Sequence, residues 1–530
     1  MNRVVTIFLA VALLAVSCQK QEQEELARLQ QEAESLAAGV GDTASPSANA
    51  DVPQDGDFFF TFDKTKYGVN AGSDVSVAFS LQEKADVEVL VKEGWSAKVN
   101  YSSETGGEIV LTCPDPAVYA DVVAVATAPD GKKTSAKINL MIRDPYSDST
   151  RPRLETVGYY FRTFNATPEN IQRLADAGIS IITVEGEDYG FESLMDLCRQ
   201  YGIKVLLIVG GYAGRAYENR DAYYGELVDF INRMKDRPEL FGWWICDEPS
   251  IEDAPRVKAM KDMVEELDPD HPVYLNYHPN ASSGSLGVDS YYDYINLFTD
   301  YLDQDLISFD IYPIYPGRIQ SDWHYCLQIV ADAARRHGVP FWTFAASCWI
   351  DSEGEAVRRE KPNKYNELLQ IYTSLAFGSQ CMQYFTMSAY GGTTYAPFMY
   401  DNTVTAAYDA LKDANTRMLK RSFVFKDCNV TKIRSTGEKS TFDTRLAVTD
   451  YPECLKSFDS TYSVLVSFVE NKGNEYIVVV NNYWSVDQIV SIEFTDSYYL
   501  IDQEGVFTEY EPGLTHFLLE KGEMLVFKYK

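Results

Sequence analysis

Between residues 150 and 420, short apolar runs alternate with stretches whose apolar residues recur every three or four positions. The first pattern predicts buried strands, and the second predicts amphipathic helices. Eight strands are predicted, at 155–161, 180–185, 204–210, 240–247, 272–277, 306–312, 340–346 and 381–386. Helices are predicted between them, at 168–178, 224–235, 254–267, 324–337 and 364–377. Eight βα repeats in about 270 residues match the size and order of a (β/α)8 TIM barrel.

A different pattern flanks this region on both sides. Residues 57–145 contain short alternating runs such as 75–81 and 108–112, separated by turn signals such as Pro129-Asp130-Gly131. Alternation returns in residues 421–530. Because a period of two with frequent turns is typical of antiparallel β-sandwiches, each flank is predicted to be one. The chain is therefore expected to be a multidomain protein, with an immunoglobulin-like β-sandwich at 57–145, a barrel at 150–420 and a second β-sandwich at 421–530.

The first 18 residues predict an export signal. Arg3 precedes an apolar run at 4–16, which is too short to span a bilayer as a stable helix. The run ends in Ala15-Val16-Ser17-Cys18, which resembles the lipobox of bacterial lipoproteins, although Ala15 replaces the more usual leucine. The resemblance implies that Cys18 is lipidated and anchors the protein to the outer membrane, facing the cell surface or the periplasm. An ordinary secretory signal with a spare cysteine is the alternative.

Residues 19–56 predict a polar helix and a flexible linker. Apolar residues recur three and four positions apart along barely two heptads, at Leu26, Leu29, Ala33, Leu36 and Val40. This seam predicts weak self-association through residues 26–40, although a polar tether fits the same pattern. Residues 41–56 hold small residues, proline and aspartate without periodicity, which is typical of a linker.

Composition narrows the range of partners. The chain carries 47 basic and 78 acidic residues, and its net charge of −31 argues against binding to nucleic acid or to anionic membrane surfaces. Aromatic residues make up 13% of the chain, which suits sugar stacking and also β-rich cores. The cysteines form no CxxC pair, so a cysteine-based metal centre is not expected, and no cofactor is implied. Cys428 and Cys454 are a candidate disulfide in an oxidising compartment.

Acids, an amide and aromatic residues follow the predicted barrel strands. Because active sites of such barrels lie at the carboxyl ends of the strands, these side chains are the candidate site. The candidates are Glu185, Asp188, Asp247, Glu248, Asn276, His278, Asp310, Tyr312, Trp342, Tyr384 and Tyr390. Glu185, Asn276 and His278 are expected to bind sugar hydroxyl groups, and the aromatic residues are expected to stack on sugar rings. Thiol or serine hydrolysis is not supported, because no cluster of Cys, His and Asp follows the predicted strands and the chain contains no G-x-S-x-G motif.

The sharpest motif is Trp243-Trp244-Ile245-Cys246-Asp247-Glu248-Pro249, at the end of the fourth predicted strand. It resembles the fourth-strand acid motif of the large group of (β/α)8 glycoside hydrolases that includes the β-galactosidases. The resemblance implies that Glu248 is the general acid/base and that Asp247 orients it or the substrate. The predicted flanking domains are also similar to the modules of Bacteroidetes surface glycan-utilisation proteins and glycosidases.

The seventh predicted strand differs from the corresponding strand of that group. Its retaining members carry a nucleophilic glutamate at the end of strand 7, where this chain has Ala345-Ala346-Ser347. Cleavage of a glycosidic bond needs a protonated carboxyl group and a second group at the anomeric centre. The second group is expected to be Asp310 first, then Glu185 or Asp188, or a 2-acetamido group of the substrate itself.

The sequence therefore predicts a hydrolase of oligo- or polysaccharides. The main alternative is a non-catalytic glycan-binding surface lipoprotein of a polysaccharide-uptake system. A metal-dependent hydrolase is a weaker alternative, because the predicted barrel rim has few histidines. Its candidate ligands are Glu185, Asp188, Asp247 and Asp310.

Overall fold

The computed structural model describes residues 60–63, 67–69, 72–91, 94–114, 122–138, 140–142, 153–350, 359–391, 393–436 and 446–529. The predicted signal, the lipidation site Cys18, the seam at 26–40 and the linker lie outside the described residues. Within the described ranges, no helix is long and apolar enough to cross a membrane. A closed eight-stranded barrel lies between two sets of antiparallel sheets, which confirms the predicted fold class.

The N-terminal part is a β-sandwich with one core. Its strands are β1 (Phe60–Phe62), β2 (Tyr67–Val69), β3 (Asp74–Leu81), β4 (Asp86–Leu90), β5 (Ser96–Ser103), β6 (Gly106–Thr112), β7 (Val122–Thr127), β8 (Lys133–Ile138) and β9 (Leu140–Ile142). One sheet has the order β1-β3-β6-β5 and another has the order β4-β7-β8, while β2 and β9 form a parallel pair. Alternate residues of β3 point inward, and Val77 and Phe79 share a core with Ala124 of β7. The predicted period-two alternation is therefore confirmed.

The barrel has the strand order β10-β11-β12-β13-β14-β15-β18-β20, and it closes between β20 and β10. The strands of this region are β10 (Glu155–Gly158), β11 (Ile181–Glu185), β12 (Lys204–Ile208), β13 (Leu240–Asp247), β14 (Val273–Tyr277), β15 (Ile307–Phe309), β16 (Ile314–Tyr315), β17 (Arg318–Ile319), β18 (Phe341–Ala346), β19 (Trp349–Ile350), β20 (Cys381–Phe385) and β21 (Thr393–Tyr395). All eight predicted barrel strands are confirmed, with small shifts at their ends.

Helices surround the barrel. They are α1 (Pro168–Asp176), α2 (Phe191–Gln200), α3 (Gly210–Glu218), α4 (Arg220–Met234), α5 (Ala254–Leu267), α6 (Ser283–Leu286), α7 (Tyr291–Leu302), α8 (Trp323–His337), α9 (Lys364–Ala376), α10 (Ala406–Lys420) and α11 (Ser422–Phe425). Short 3₁₀ turns lie at Thr163–Asn165, Ile251–Asp253 and Val448–Asp450. Local sequence sets several helix ends. The Thr167 hydroxyl accepts a hydrogen bond from the Asn170 amide at the start of α1, and Gly338 ends α8 in a left-handed conformation.

The C-terminal part is the second β-sandwich. Its strands are β22 (Asn429–Ser435), β23 (Leu455–Ser460), β24 (Val464–Asn471), β25 (Asn474–Asn481), β26 (Gln488–Phe494), β27 (Tyr498–Ile501), β28 (Phe507–Tyr510), β29 (Gly513–Leu519) and β30 (Met524–Lys528). Six strands form the sheet β22-β24-β25-β30-β27-β28, and three form β23-β26-β29. Leu465, Val478 and Val526 of the larger sheet belong to the same apolar core as the barrel helices. The sandwich is therefore joined to the side of the barrel.

The predicted disulfide is wrong. Cys428 and Cys454 are both free thiols. Cys428 packs against the barrel core, and Cys454 packs against the separate core inside the C-terminal sandwich. The two cysteines therefore serve as small apolar side chains in different cores.

Candidate active site

A cavity of about 380 Å³ opens at the carboxyl ends of the barrel strands. Carboxyl and amide groups line one part of it, and aromatic rings line the rest. The polar residues are Asp247, Glu248, Asn276, Asn280, Asp310, Gln320 and Arg359. The aromatic residues are Tyr159, Tyr312, Tyr315, Phe344, Phe385 and Tyr390. The predicted site residues Asp247, Glu248, Asn276, Asp310, Tyr312 and Tyr390 therefore lie together.

An irregularity at the end of β13 positions the two acids. The register against β14 slips between Trp244 and Cys246, so Ile245 and Cys246 both pack on the outer side of the strand. Asp247 is thereby turned to the inner side and lies opposite Asn276. Glu248 has a left-handed backbone with φ of +42°, and its amide donates a hydrogen bond to the Asn276 carbonyl at 2.9 Å. Two successive carboxyl groups therefore line one cavity, whereas a regular strand would point them to opposite faces.

The Asn276 amide connects two of the carboxyl groups. Its Nδ2 donates to Asp310 Oδ1 at 3.0 Å, and the side chain is also hydrogen-bonded to Asp247. Its Oδ1 accepts from Ser308 Oγ at 3.0 Å, and Ser308 Oγ accepts from Gln383 Nε2 at 2.8 Å. Because Ser308 occupies the amide oxygen, the NH₂ group of Asn276 must face the acids. A buried polar network thus fixes the position of the cavity floor.

Asp310 and Glu248 form a carboxyl pair. Both carboxyl groups line the cavity, and the charge of Glu248 acts on Asp310. Burial raises the pKa of Asp310 well above its usual range, and the nearby charges of Glu248 and Asp247 raise it further. Only 7% of Asp310 is exposed, whereas Glu248 reaches solvent in the cavity. At neutral pH the pair therefore keeps a proton next to the cavity.

The charge state of Asp247 differs from that of Asp310. Its side chain reaches solvent, but protein surrounds it on the other sides at the cavity floor. This burial, and secondarily the charge of Glu248, raises the pKa of Asp247 to about 6. The hydrogen bond from Asn276 opposes the rise by favouring the ionised form. Asp247 is therefore mostly ionised at neutral pH, beside a pair that still holds a proton.

A second acidic group lies after β11. Burial, followed by the charge of Asp188, raises the pKa of Glu185 to about 7. Asp188 is paired with Arg162, whose Nη2 and Nε lie 3.1 and 3.0 Å from the two carboxyl oxygens. The charges of Asp247 and Glu185 both act on the Tyr159 hydroxyl, and burial is the main reason that the pKa of Tyr159 is raised. Tyr159 is thus a neutral hydroxyl group between the two acidic groups.

Aromatic rings form the walls. Tyr159 packs on Phe385 and Phe344 with ring centroids 5.7 and 5.6 Å apart, and Tyr312 lies 5.0 Å from Phe385. The Arg359 guanidinium lies 4.9 Å above the Tyr312 ring. Tyr159, Phe344, Phe385 and Arg359 were not among the predicted site residues. The inward positions of β18 and β20 identify Phe344 and Phe385, because side chains alternate along a strand.

His278 lies beside the cavity. It is half-buried, and its Nδ1 lies 3.1 Å from the Pro279 carbonyl oxygen. Its backbone amide donates to the Tyr294 hydroxyl at 3.1 Å, and that hydroxyl donates to the Pro249 carbonyl at 2.6 Å. Tyr294 therefore ties the segment after β13 to the segment after β14, which holds the two acid-bearing strand ends together.

Two predicted substrate-binding residues lie outside this cavity. Trp342 is the second residue of β18, packs on Phe241 and Tyr274, and lines a separate cavity of about 490 Å³ near the strand starts. Tyr384 is fully buried on the outer side of β20, where its hydroxyl donates to Asn415 Oδ1 at 2.8 Å. Trp342 lies away from the cavity because it is near the start of its strand, and Tyr384 because it points to the outer side of its strand.

The four acids proposed as metal ligands are not arranged as a metal site. Across the described ranges, no group of three or more His, Cys, Asp and Glu side chains has the geometry to hold a metal ion. Asp188 is instead bound by Arg162, and Asp310 accepts a hydrogen bond from Asn276. These two acids are therefore occupied by protein partners.

No protein-family model matches this chain, and a search of curated proteins finds no match. Among solved structures, it is similar to a glycoside hydrolase with 14% identity and a TM-score of 0.47, covering 71% of this chain and 92% of that one. A family 39 glycoside hydrolase from Bacteroides cellulosilyticus has 12% identity and a TM-score of 0.45, with 88% and 99% covered. A family 5 glycoside hydrolase from Bacteroides vulgatus has 14% identity and a TM-score of 0.47, with 72% and 92% covered. Likenesses this distant do not assign an activity.

Proposed function

We propose that this chain is a glycoside hydrolase acting on an oligo- or polysaccharide, with Glu248 as the general acid/base. One observation carries the proposal. The left-handed turn at Glu248 brings two successive carboxyl groups into an aromatic-walled cavity, beside an Asp310 carboxyl that retains a proton at neutral pH. Protonated and ionised carboxyl groups side by side are what cleavage of a glycosidic bond requires.

Glu248 delivers the proton to the substrate, because it is exposed in the cavity, and the buried Asp310 beside it holds a proton at neutral pH. The proton goes to the leaving oxygen as the bond between that oxygen and the anomeric carbon breaks. Positive charge then develops at the anomeric carbon, which offsets the repulsion between the newly ionised carboxyl groups. A water molecule supplies hydroxyl to the sugar and returns a proton to the pair.

The second carboxylate of the mechanism is assigned to Asp247. Asp310 retains its proton at neutral pH, because its pKa is raised well above its usual range, and this argues against its predicted role as nucleophile or base. Asp247, ionised at neutral pH, either stabilises the anomeric centre or orients a 2-acetamido group. Glu185, Asn276, Tyr312 and Tyr390 are assigned to substrate binding.

The test compares the full-length protein with Glu248→Gln on aryl glycosides and oligosaccharides. The panel contains β-galactosides, β-glucans and N-acetylhexosaminides. On substrates with poor leaving groups, the variant is expected to lose at least about 100-fold in kcat/KM. On dinitrophenyl glycosides the loss should be much smaller, because that leaving group departs without protonation.

The control is Glu187→Gln, an exposed rim acid that pairs with Arg215, and it should retain activity. Equal losses on both kinds of leaving group would remove Glu248 from the acid role. Saturable glycan binding without turnover by either protein would favour the non-catalytic glycan-binding alternative.

We also propose the lipoprotein arrangement. It rests on the Ala15-Val16-Ser17-Cys18 sequence, and it includes outer-membrane attachment through Cys18, a tether at 19–56 and weak self-association through 26–40. Metabolic labelling with a fatty-acid analogue should mark the wild type and not Cys18→Ala. Labelling of both proteins would exclude Cys18 as the anchor.

A further inference from the structure

We propose that Phe164 and Tyr400, the rim platform, bind a sugar unit of a glycan chain that extends from the cavity. The proposal rests on the proposed function, and it specifies the substrate as a chain longer than the cavity itself. Phe164 is 40% exposed and Tyr400 is 47% exposed. Their rings are stacked, with centroids 5.4 Å apart and planes 27° apart. Exposed aromatic faces of this kind suit the apolar faces of pyranose rings.

The rim platform lies on the same face of the barrel as the cavity. Phe164 belongs to the turn Thr163–Asn165 that follows β10, and Tyr400 belongs to the connection between β20 and α10. β10 and β20 are neighbours in the barrel, so the two connections leave it side by side. Both start at the carboxyl ends of their strands, where the cavity also opens.

Hydrogen bonds hold the two connections in place. Asn165 Nδ2 donates to the Met399 carbonyl and to Asn402 Oδ1, both at 2.9 Å. Asn170 Nδ2 also donates to Asn402 Oδ1 at 3.0 Å, and Asn402 has a left-handed backbone with φ of +63°. Asn165 and Asn170 are buried. The rings are therefore presented on a fixed support, which lowers the entropy lost when a ligand binds.

The distance to the cavity suits an oligosaccharide. Tyr159 lines the cavity and precedes Phe164 by five residues, which span at most roughly 18 Å when extended. Between them, the Tyr160 ring contacts the cavity residue Tyr390 at a centroid distance of 5.2 Å. Aromatic side chains thus extend from the cavity wall in the direction of the rim platform, which lies within reach of a few linked sugar units.

The test measures binding of a glycan chain separately from hydrolysis. Affinity electrophoresis is run in gels that contain β-glucan, xylan, mannan, galactan or chitosan, with Glu248→Gln as the non-hydrolysing background. Adding Phe164→Ala and Tyr400→Ala should weaken retardation by at least about tenfold, as expected for the loss of two stacking rings. In the wild-type background, the same double variant should turn over aryl monosaccharide glycosides within about twofold of wild type, because such substrates do not reach the rim platform.

A double variant Tyr462→Ala and Tyr483→Ala is the matched control. These two exposed rings also touch each other, at a centroid distance of 5.8 Å, but lie on the C-terminal sandwich. The control should leave retardation unchanged. Phe164→Leu with Tyr400→Leu keeps apolar bulk without the rings, so it should behave like the alanine pair even where alanine lowers stability.

Two results would overturn the rim platform: unchanged retardation in both platform variants, or no retardation of the background protein in any gel. Loss of aryl-glycoside turnover in the platform variants would also overturn it, because the two rings would then be needed for the reaction in the cavity. The proposed function is decided separately, by turnover of aryl glycosides and its dependence on Glu248.

Discussion

At the scale of single residues, the site depends on how one proton is distributed among three carboxyl groups. Asp310 is buried and retains a proton, Glu248 lies beside it at the cavity surface, and the pKa of Asp247 is raised to about 6. Asn276 donates to Asp310 and also favours the ionised form of Asp247. Coupled groups of this kind titrate together, so a pH–rate profile reports on the pair and not on either residue alone.

Asp310→Asn should shift the basic limb of the pH–rate profile to lower pH. Asparagine keeps the shape of the side chain but has no titratable proton, so the site should lose its proton at a lower pH than in the wild type. We expect kcat/KM at neutral pH to fall by about 100-fold, with a smaller loss near pH 5. The measurement is kcat/KM between about pH 4 and pH 9. A uniform loss of kcat/KM at every pH, with an unmoved basic limb, would show that Asp310 does not hold the proton used in the reaction.

The sequence predicts the acidic residues of the cavity better than the aromatic residues of its walls. Asp247, Glu248 and Asp310 are identified from their places after predicted strands, and the structure brings them together. Trp342 and Tyr384 lie outside the cavity, and the sequence pattern does not show which end or which side of a buried strand a residue occupies. The register slip before Asp247 has no signal in the sequence, since it depends on pairing with the neighbouring strand.

At the scale of elements, α9 is a helix covered on nearly every side. Ten successive residues from Glu367 to Ala376 are buried, because α9 lies between the barrel and the C-terminal sandwich. Its capping box is complete, with Asn363 and Asn366 each bonded to the backbone of the other. Glu367 is fully buried, and neither of its carboxyl oxygens has a hydrogen-bond partner among the described residues. Burial therefore raises the pKa of Glu367 well above its usual range.

Glu367 should make the protein less stable as pH rises. The folded state retains the proton on this carboxyl at pH values where the unfolded chain has released it, so the free energy of unfolding falls with increasing pH above about 4.5. The fall is up to about 1.4 kcal/mol per pH unit until the folded-state pKa is reached. Glu367→Met should remove this contribution, which is seen by comparing urea unfolding of the variant and the wild type at about pH 5 and pH 8.

Glu367→Gln provides the control for polarity. It does not titrate, so it should show the same reduced pH dependence as methionine, without the gain in stability at about pH 5 that an apolar side chain brings. Asp310, Asp247 and Glu185 also have raised pKa values and contribute with the same sign. The relevant quantity is therefore the difference between variant and wild-type slopes, and equal slopes would show that Glu367 is not protonated in the folded protein.

Helices and strands begin and end at the predicted residues where tertiary packing and the local sequence pattern favour the same ends. The strand at 240–247 and the helix at 254–267 are found at the predicted positions. α3 is not predicted, because it begins with Gly210 and Gly211, and glycine disfavours helix. The structure explains Gly210, since a Cβ there would lie 2.5 Å from the Ile245 carbonyl oxygen. The predicted strand at 306–312 ends early at Phe309, because the chain leaves the sheet before Pro313.

At the scale of the whole molecule, the barrel and the C-terminal sandwich are joined by buried charges as well as by apolar packing. Arg421 follows α10, is 1% exposed, and donates to Glu523 Oε1 at 2.8 Å and to the Met524 carbonyl at 3.3 Å. Glu523 Oε2 also accepts from Arg417 at 3.2 Å. Arg417 and Arg421 on the barrel side thus both pair with Glu523 of the sandwich. The two parts are therefore expected to unfold together.

Glu523→Gln should destabilise the whole molecule, because it leaves the Arg421 charge buried without its carboxylate. Removal of one partner of a buried ion pair costs about 3–5 kcal/mol, whereas replacement of both partners by apolar residues is often close to neutral. The double variant Arg421→Met with Glu523→Leu should therefore recover most of the loss.

Asp262→Asn is the surface control, since the exposed Lys258–Asp262 pair contributes less than about 0.5 kcal/mol. Urea unfolding followed by calorimetry and by tryptophan fluorescence measures both stability and cooperativity. If Glu523→Gln were as mild as Asp262→Asn, or if two separate transitions appeared already in the wild type, the barrel and sandwich would be independent units and the buried pair would not couple them.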